Sequence, residues 1–182
     1  MEDYAYILDY LPQGRHEGGR FGKEPVAYAL GEDEFKLFEL IPKENATLTI
    51  GDRVYIGKEV EQREEILHVK RRISYDELTN AAMNELMFVI ENIVKDKEDK
   101  FLTFFNHAQA ITTRFHMLEL LPGLGKKSMW SVIEERRRGE FTSYDDLINR
   151  VGSIHHPVKL ISKRIHVELS DPDQKYHIFV AK

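Results

Sequence analysis

The chain has 182 residues, a formal net charge of −5, 42% hydrophobic residues and no cysteine. Disulfides, thiolate zinc sites, iron–sulfur clusters and cysteine nucleophiles are therefore excluded. The length suits one medium domain or two small ones and is enough to bury a core. No apolar stretch approaches the roughly 18 residues that would signal a membrane-spanning helix. The start, Met1-Glu2-Asp3-Tyr4, is acidic and lacks a signal-peptide run, so the expectation is a mature, intracellular, cytoplasmic protein. The charge is uneven, at −8 over residues 1–100 and +3 over residues 101–182. That split directs the search for an acidic partner to the second half.

The first 70 or so residues read as short strands and turns. Tyr4 to Leu11 is rich in Tyr, Ile and Leu and ends at Pro12. Val26 to Leu30 is closed by Gly31, and Phe35 to Ile41 by Pro42. Thr47 to Ile50 and Arg53 to Ile56 read as two strands around Gly51-Asp52, and Ile66 to Val69 as a last one. Such spacing predicts a small antiparallel β-barrel, oligonucleotide-binding (OB)-like. The loop after the first strand holds four glycines with Arg15, Arg20, Phe21 and Lys23. In a barrel of this type that loop borders the binding face, and mobile cations with one aromatic suit a single strand. A merely solvated loop is the alternative. Lys70-Arg71-Arg72 reads as a solvated connector.

From Ser74 the period changes. Ser74 and Glu77 form a capping box, and Leu78, Ala82, Leu86, Val89, Ile90 and Ile93 recur at helical spacing. After a charged break at 95–100, Phe101, Phe104, Phe105, Ala108, Ile111, Thr112 and Phe115 predict a second amphipathic helix. Its phenylalanines share one stripe, which favours core over a base-stacking platform.

The most informative segment runs from Leu118 through Leu121-Pro122-Gly123-Leu124-Gly125-Lys126-Lys127-Ser128 to Ile133. A helix of apolar period is expected to stop at Pro122. The next helix then carries Met129, Val132 and Ile133 on one face. Two glycines around one apolar residue let the chain reverse while Leu124 plugs the hairpin. They also leave bare N–H groups at the start of the next helix, where an anion can bind. Lys126 and Lys127 can add charge-assisted contacts to a phosphate. This segment resembles the helix-hairpin-helix motif, which grips a sugar-phosphate backbone without reading sequence. Met129 departs from it, standing where a small alanine is usual, which implies a looser helix pair.

A degenerate second copy follows. Ser143 and Asp146 cap a helix, and Ile154 aligns with Leu124, flanked by Ser153 and His155 instead of glycines. This copy is expected to pack against the first more than to bind phosphate. Lys159, Lys163 and Arg164 lie on the last helix. Arg136, Arg137 and Arg138 end the preceding one, either extending a basic track or complementing the helix dipole.

Taken in order, the Tyr4-to-Pro12 start, the Gly-rich loop, the L-P-G-L-G-K-K hairpin and the Phe141-to-Leu169 unit resemble a small, mainly archaeal family, the domain of unknown function 655. The resemblance implies an OB-type barrel fused to a helix-hairpin-helix domain. Members of that family are often encoded near ribosomal and transcription genes, which leans toward RNA and translation.

The expected architecture is α+β in two domains. An OB-like barrel spans 1–72, a helical connecting region 73–117, and an all-α, SAM-like tandem helix-hairpin-helix domain with a C-terminal strand 118–182. The expected function is non-catalytic nucleic-acid binding, with RNA favoured over DNA. The contacts would be Gly123, Leu124, Gly125, Lys126, Lys127, Arg136, Arg137 and Arg138, with Arg15, Arg20, Phe21 and Lys23 on the barrel side. No catalytic residue, metal ligand or cofactor is expected. H-E-x-x-H, G-x-x-x-x-G-K-[ST] and G-x-S-x-G patterns are absent. Asp145-Asp146 and Asp171-x-Asp173 read as a helix cap and a turn. Two alternatives remain. One is a module docking a basic ribosomal or transcription protein. The other is an RNA-processing enzyme whose site, for example Asp145, His155 and His166, assembles only in the fold.

Overall fold

β1 (Tyr4–Leu11) opens a five-stranded antiparallel sheet. Alternation would bury only every second residue, yet Ile7 and Leu8 are both fully buried. A register shift between Ile7 and Asp9 against the neighbouring strand makes this possible, because a bulge turns successive side chains inward. This computed structural model describes residues 1–17, 20–21 and 24–182, and side chains outside 16–23.

β2 (His16–Glu17) and β3 (Arg20–Phe21) pair as a short ribbon. β4 (Val26–Gly31), β5 (Leu37–Pro42), β6 (Arg53–Tyr55) and β7 (Ile66–Ile73) complete the main sheet in the order β6-β1-β4-β5-β7. Small Ala5, Ala27 and Ala29 alternate in its core with Ile7, Leu40, Val54 and Ile66. The expected barrel is therefore a curled half-barrel, with β6 and β7 at its edges. Thr47 to Ile50 is not a strand, and β6 has only three residues, too few for a long ladder. The Arg63 guanidinium donates to the Gly57 carbonyl, in the bend after β6, at 2.9 Å and to the Leu67 carbonyl on β7 at 3.3 Å.

The Lys70-Arg71-Arg72 cluster is part of β7 rather than a connector. Lys70 and Arg71 pair with buried Glu39 at 3.2 and 2.8 Å, and Arg72 donates to the Ala181 carbonyl at 2.7 Å. The Ser74–Glu77 capping box is present, but it caps a short 3-10 turn, Tyr75–Glu77. Thr79 starts the long helix instead. Its hydroxyl accepts from the Ala82 amide at 3.1 Å and donates to the Asp9 carboxylate at 2.6 Å.

α1 (Asn80–Asp96) and α2 (Glu98–His107) follow. The second predicted helix thus ends well before Phe115. Ile111, Thr112 and Thr113 are consecutive β-branched residues, which favour extended backbone. They form a hairpin of β8 (Ala110–Thr112) and β9 (Phe115–His116). A 3-10 turn at Met117–Leu120, then α3 (Lys126–Arg136), α4 (Tyr144–Arg150) and α5 (Pro157–Ser170) complete the chain. No helix among the described residues is long and apolar enough to cross a membrane.

The chain divides into two compact units, Met1–Val89 with Val167–Lys182, and Ile90–His166. The boundaries differ from those expected because they fall inside α1 and α5. In the second unit, Asn106 bonds both the N–H and the C=O of Phe141, at 2.7 and 3.1 Å. The Tyr144 hydroxyl donates to the Val94 carbonyl at 2.7 Å, and burial pushes its phenol pKa up. Arg150 lies 4.4 Å from the Phe141 ring centre and donates to the Glu135 and Gly139 carbonyls at 2.6 and 2.7 Å.

The expected C-terminal strand is absent, and residues 171–182 form turns and bends. The buried Glu168 carboxylate explains the difference. It accepts the amides of Ile178, Phe179 and Val180 at 2.8, 3.1 and 2.8 Å, taking donors that a ladder would need. Replacing Glu168→Ala should leave those amides buried and cost about 2–4 kcal/mol. Hydrogen exchange at 178–180 should accelerate selectively, and unchanged protection there would contradict this role.

Candidate nucleic-acid interface

The turn before α3 is built around Leu124. Leu118, Leu121 and Leu124 are all buried, and the Leu124 amide closes the turn on the Leu121 carbonyl at 3.1 Å. Gly123 has φ +94°, which a side chain rarely adopts, so the reversal depends on that glycine. Gly125 has φ −76° and ψ 167° and needs no such freedom. It is the N-cap of α3 and supplies no side-chain acceptor. The amides of Lys126, Lys127 and Ser128 thus start a helix whose cap residue leaves their side open. Apart from Gly125 and its two chain neighbours, no residue comes within 4 Å of where a Gly125 Cβ would stand. Lys126 and Lys127 are exposed beside it.

Leading into this turn, the expected helix is only the 3-10 turn Met117–Leu120. Its His116 N-cap accepts the Leu118 amide on Nδ1 at 3.0 Å, while the His116 amide donates to Glu119 at 2.7 Å. Burial, then nearby Arg136, holds the His116 pKa below its ordinary value. Met129 is buried.

The second copy repeats the plug but not the opening. Ile154 is buried and its amide donates to the Val151 carbonyl at 3.0 Å. No positive φ occurs in this turn. Its helix begins at Pro157, which has no N–H to offer. The Ser128 and Ser153 hydroxyls hydrogen-bond at 2.7 Å, joining the two turns.

The arginine cluster separates into different roles. Arg136 donates to the Phe105 carbonyl at 3.1 Å and is partly buried, so it serves the fold rather than a surface track. Desolvation, then the Arg137 charge, lowers its pKa. Arg137 is exposed, and Arg138 approaches Glu135 at 3.6 Å. Lys127, Arg138, Arg150 and Gly152-Ser153 line one depression of about 570 Å³, together with Glu134 and Glu135. On its other side, Lys126 joins Arg114, Phe115, His116, Met129 and Trp130 around a groove of about 530 Å³.

The chain matches the family model described as a protein of unknown function, DUF655, over residues 1–181. This chain belongs to the DUF655 family. It is 48% identical over 181 residues to an uncharacterised protein of Methanocaldococcus jannaschii, MJ0038, covering 99% of this chain and 80% of that protein. It also resembles the crystal structure of Af1531 from Archaeoglobus fulgidus, described as family-model DUF655. There the identity is 46%, the TM-score 0.90, and the coverage 99% of this chain and 100% of that one.

Other predicted residues of this DUF655 chain lie apart from the turn in sequence. Arg15, in the first unit, is partly buried. The side chains of Arg20 and Phe21, and Lys23 altogether, lie outside the described residues. Asp145, His155 and His156 line a depression of about 390 Å³ with Glu98, Lys95 and Lys159, but His166 is not among its walls. No group of three or more Asp, Glu or His among the described residues is placed to hold a metal ion.

Sequence reasoning missed Arg114 and Trp130. Trp130 carried a signal, because it lies off the apolar face formed by Met129, Val132 and Ile133. Gly123→Ala should lower stability by about 1–2 kcal/mol through its left-handed backbone. Gly125→Ser should leave stability equal or raise it by about 0.3 kcal/mol, since serine caps a helix slightly better than glycine. Urea unfolding of both variants checks this, and a Gly123→Ala variant as stable as the parent would contradict the turn geometry.

Proposed function

We propose that this protein is a non-catalytic nucleic-acid-binding protein that holds a sugar-phosphate backbone at the Gly123–Ser128 turn. RNA is its favoured ligand. The observation that carries the reading is the N-cap of α3, a glycine with open space around it and exposed Lys126 and Lys127 beside it. A phosphate there meets backbone amides, the positive end of a helix dipole and two ammonium groups. The turn works as the first half of a tandem helix-hairpin-helix, with the 3-10 turn in place of a full leading helix. The second, proline-started turn supports the first. The N-terminal half-barrel is OB-like and offers a further face for a single strand, with Arg15, Arg20, Phe21 and Lys23 following its first strand in sequence. RNA and translation are preferred on the family resemblance, since phosphate contacts position a strand without identifying it.

Affinity should fall steeply with salt as counterions are released. For Lys126→Ala/Lys127→Ala, the slope of log affinity against log salt should shrink by about 1.5, from roughly 0.7–0.9 per lost phosphate contact. Gly125→Ser should weaken binding several-fold without loss of stability, because its hydroxyl takes an amide from the phosphate. Fluorescence anisotropy with labelled single- and double-stranded RNA and DNA measures both effects. If none of the four ligands binds, the reading fails. Salt-sensitive capture of a basic protein would then support the docking module instead.

A further inference from the structure

The groove beside the lysine turn has a composition that a phosphate grip alone does not require. Trp130 is 61% exposed, although the other large side chains near it on α3, Met129 and Val132, are buried. A single exposed hydrophobe is ordinary on a protein surface. Here, however, the indole shares a groove of about 530 Å³ with Phe115, Ile133 and the cations Arg114 and Lys126. The groove's one carboxylate, Glu119, accepts the His116 amide at 2.7 Å. His116 has its pKa depressed and uses Nδ1 as an acceptor. The groove thus sets two cations and one hydrogen-bonded carboxylate beside aromatic and aliphatic side chains.

We propose that this groove is a stacking site for one unpaired base of a single-stranded nucleic acid, with Trp130 as its platform and Arg114 and Lys126 holding the adjoining phosphates. The inference rests on the nucleic-acid reading above and gives it a substrate class. Lys126 and Trp130 are four residues apart on α3, so their side chains stand about one turn apart on the same face. A nucleotide whose phosphate is held near Lys126 lays its base toward the indole. Paired bases within a duplex keep their faces inside the stack, so only an unpaired base offers a π-face here. A stacking platform tolerates any base, so little sequence preference is expected.

Trp130 is the chain's sole tryptophan, so emission excited beyond the tyrosine absorption band reports this groove alone. The test is a titration with a single-stranded RNA oligomer, an abasic oligomer of equal length and a duplex. Trp130 emission and anisotropy are read together, on the parent protein and on Trp130→Ala. Because Trp130 is exposed, its truncation should leave the thermal melt near that of the parent. The expected result is quenching by the single strand and none by the abasic oligomer at equal occupancy. Trp130→Ala should weaken single-strand binding about 10-fold and leave abasic binding unchanged. Single-strand binding with unchanged emission, or with unchanged affinity in Trp130→Ala, would overturn the stacking site while leaving the phosphate grip standing. Failure of every oligomer to bind would overturn both.

Discussion

Leu124 is buried three residues after Leu121 and two before α3, and the chain has only those few residues in which to bring it there. Gly123 makes the reversal possible by adopting a left-handed backbone at φ +94°. The chain then enters α3 through a second glycine, which caps the helix without a side chain. Seating the plug requires Gly123 but not Gly125, whose extended backbone a serine could equally adopt. The open helix start therefore comes from the glycine at the cap and the two lysines beside it, not from burial of the leucine.

The second turn shows what happens when a similar plug is seated without glycines on either side of it. Ile154 is buried like Leu124, and its amide closes on a carbonyl three residues back in the same way. Ser153 and His155 replace the glycines, and Pro157 removes an N–H from the first turn of α5. The two turns share an architecture but differ in what they offer a ligand. The Ser128–Ser153 hydrogen bond gives the second a supporting part in holding the first.

Much of this could be read from the sequence, for local reasons. β1 runs from Tyr4 to Leu11, matching its apolar run, and the plug and its glycines were visible in Leu121 to Gly125. What the sequence did not reveal depended on partners distant in the chain. Arg63 bonds a carbonyl in the bend after β6 and another on β7, the two strands at the sheet's edges. The C-terminal segment is not a strand because Glu168 takes its amides. Arg136 looked like one of three surface cations, but its guanidinium turns to the Phe105 carbonyl. The helix predicted through Phe115 failed for a local reason that was available, since three successive β-branched residues oppose helix. Apolar periodicity gives Trp130 no role, because it lies off the stripe of Met129, Val132 and Ile133.

The central claim is that backbone amides at the start of α3 hold a phosphate. The most direct measurement is a proton–nitrogen correlation spectrum of the labelled protein, titrated with a short single-stranded RNA. The account predicts that the amides of Gly125, Lys126, Lys127 and Ser128 shift together and saturate at one affinity, while those of Ile154 and Val158 stay in place. RNA that binds and shifts other amides, but leaves those of Gly125 to Ser128 unmoved, would contradict it.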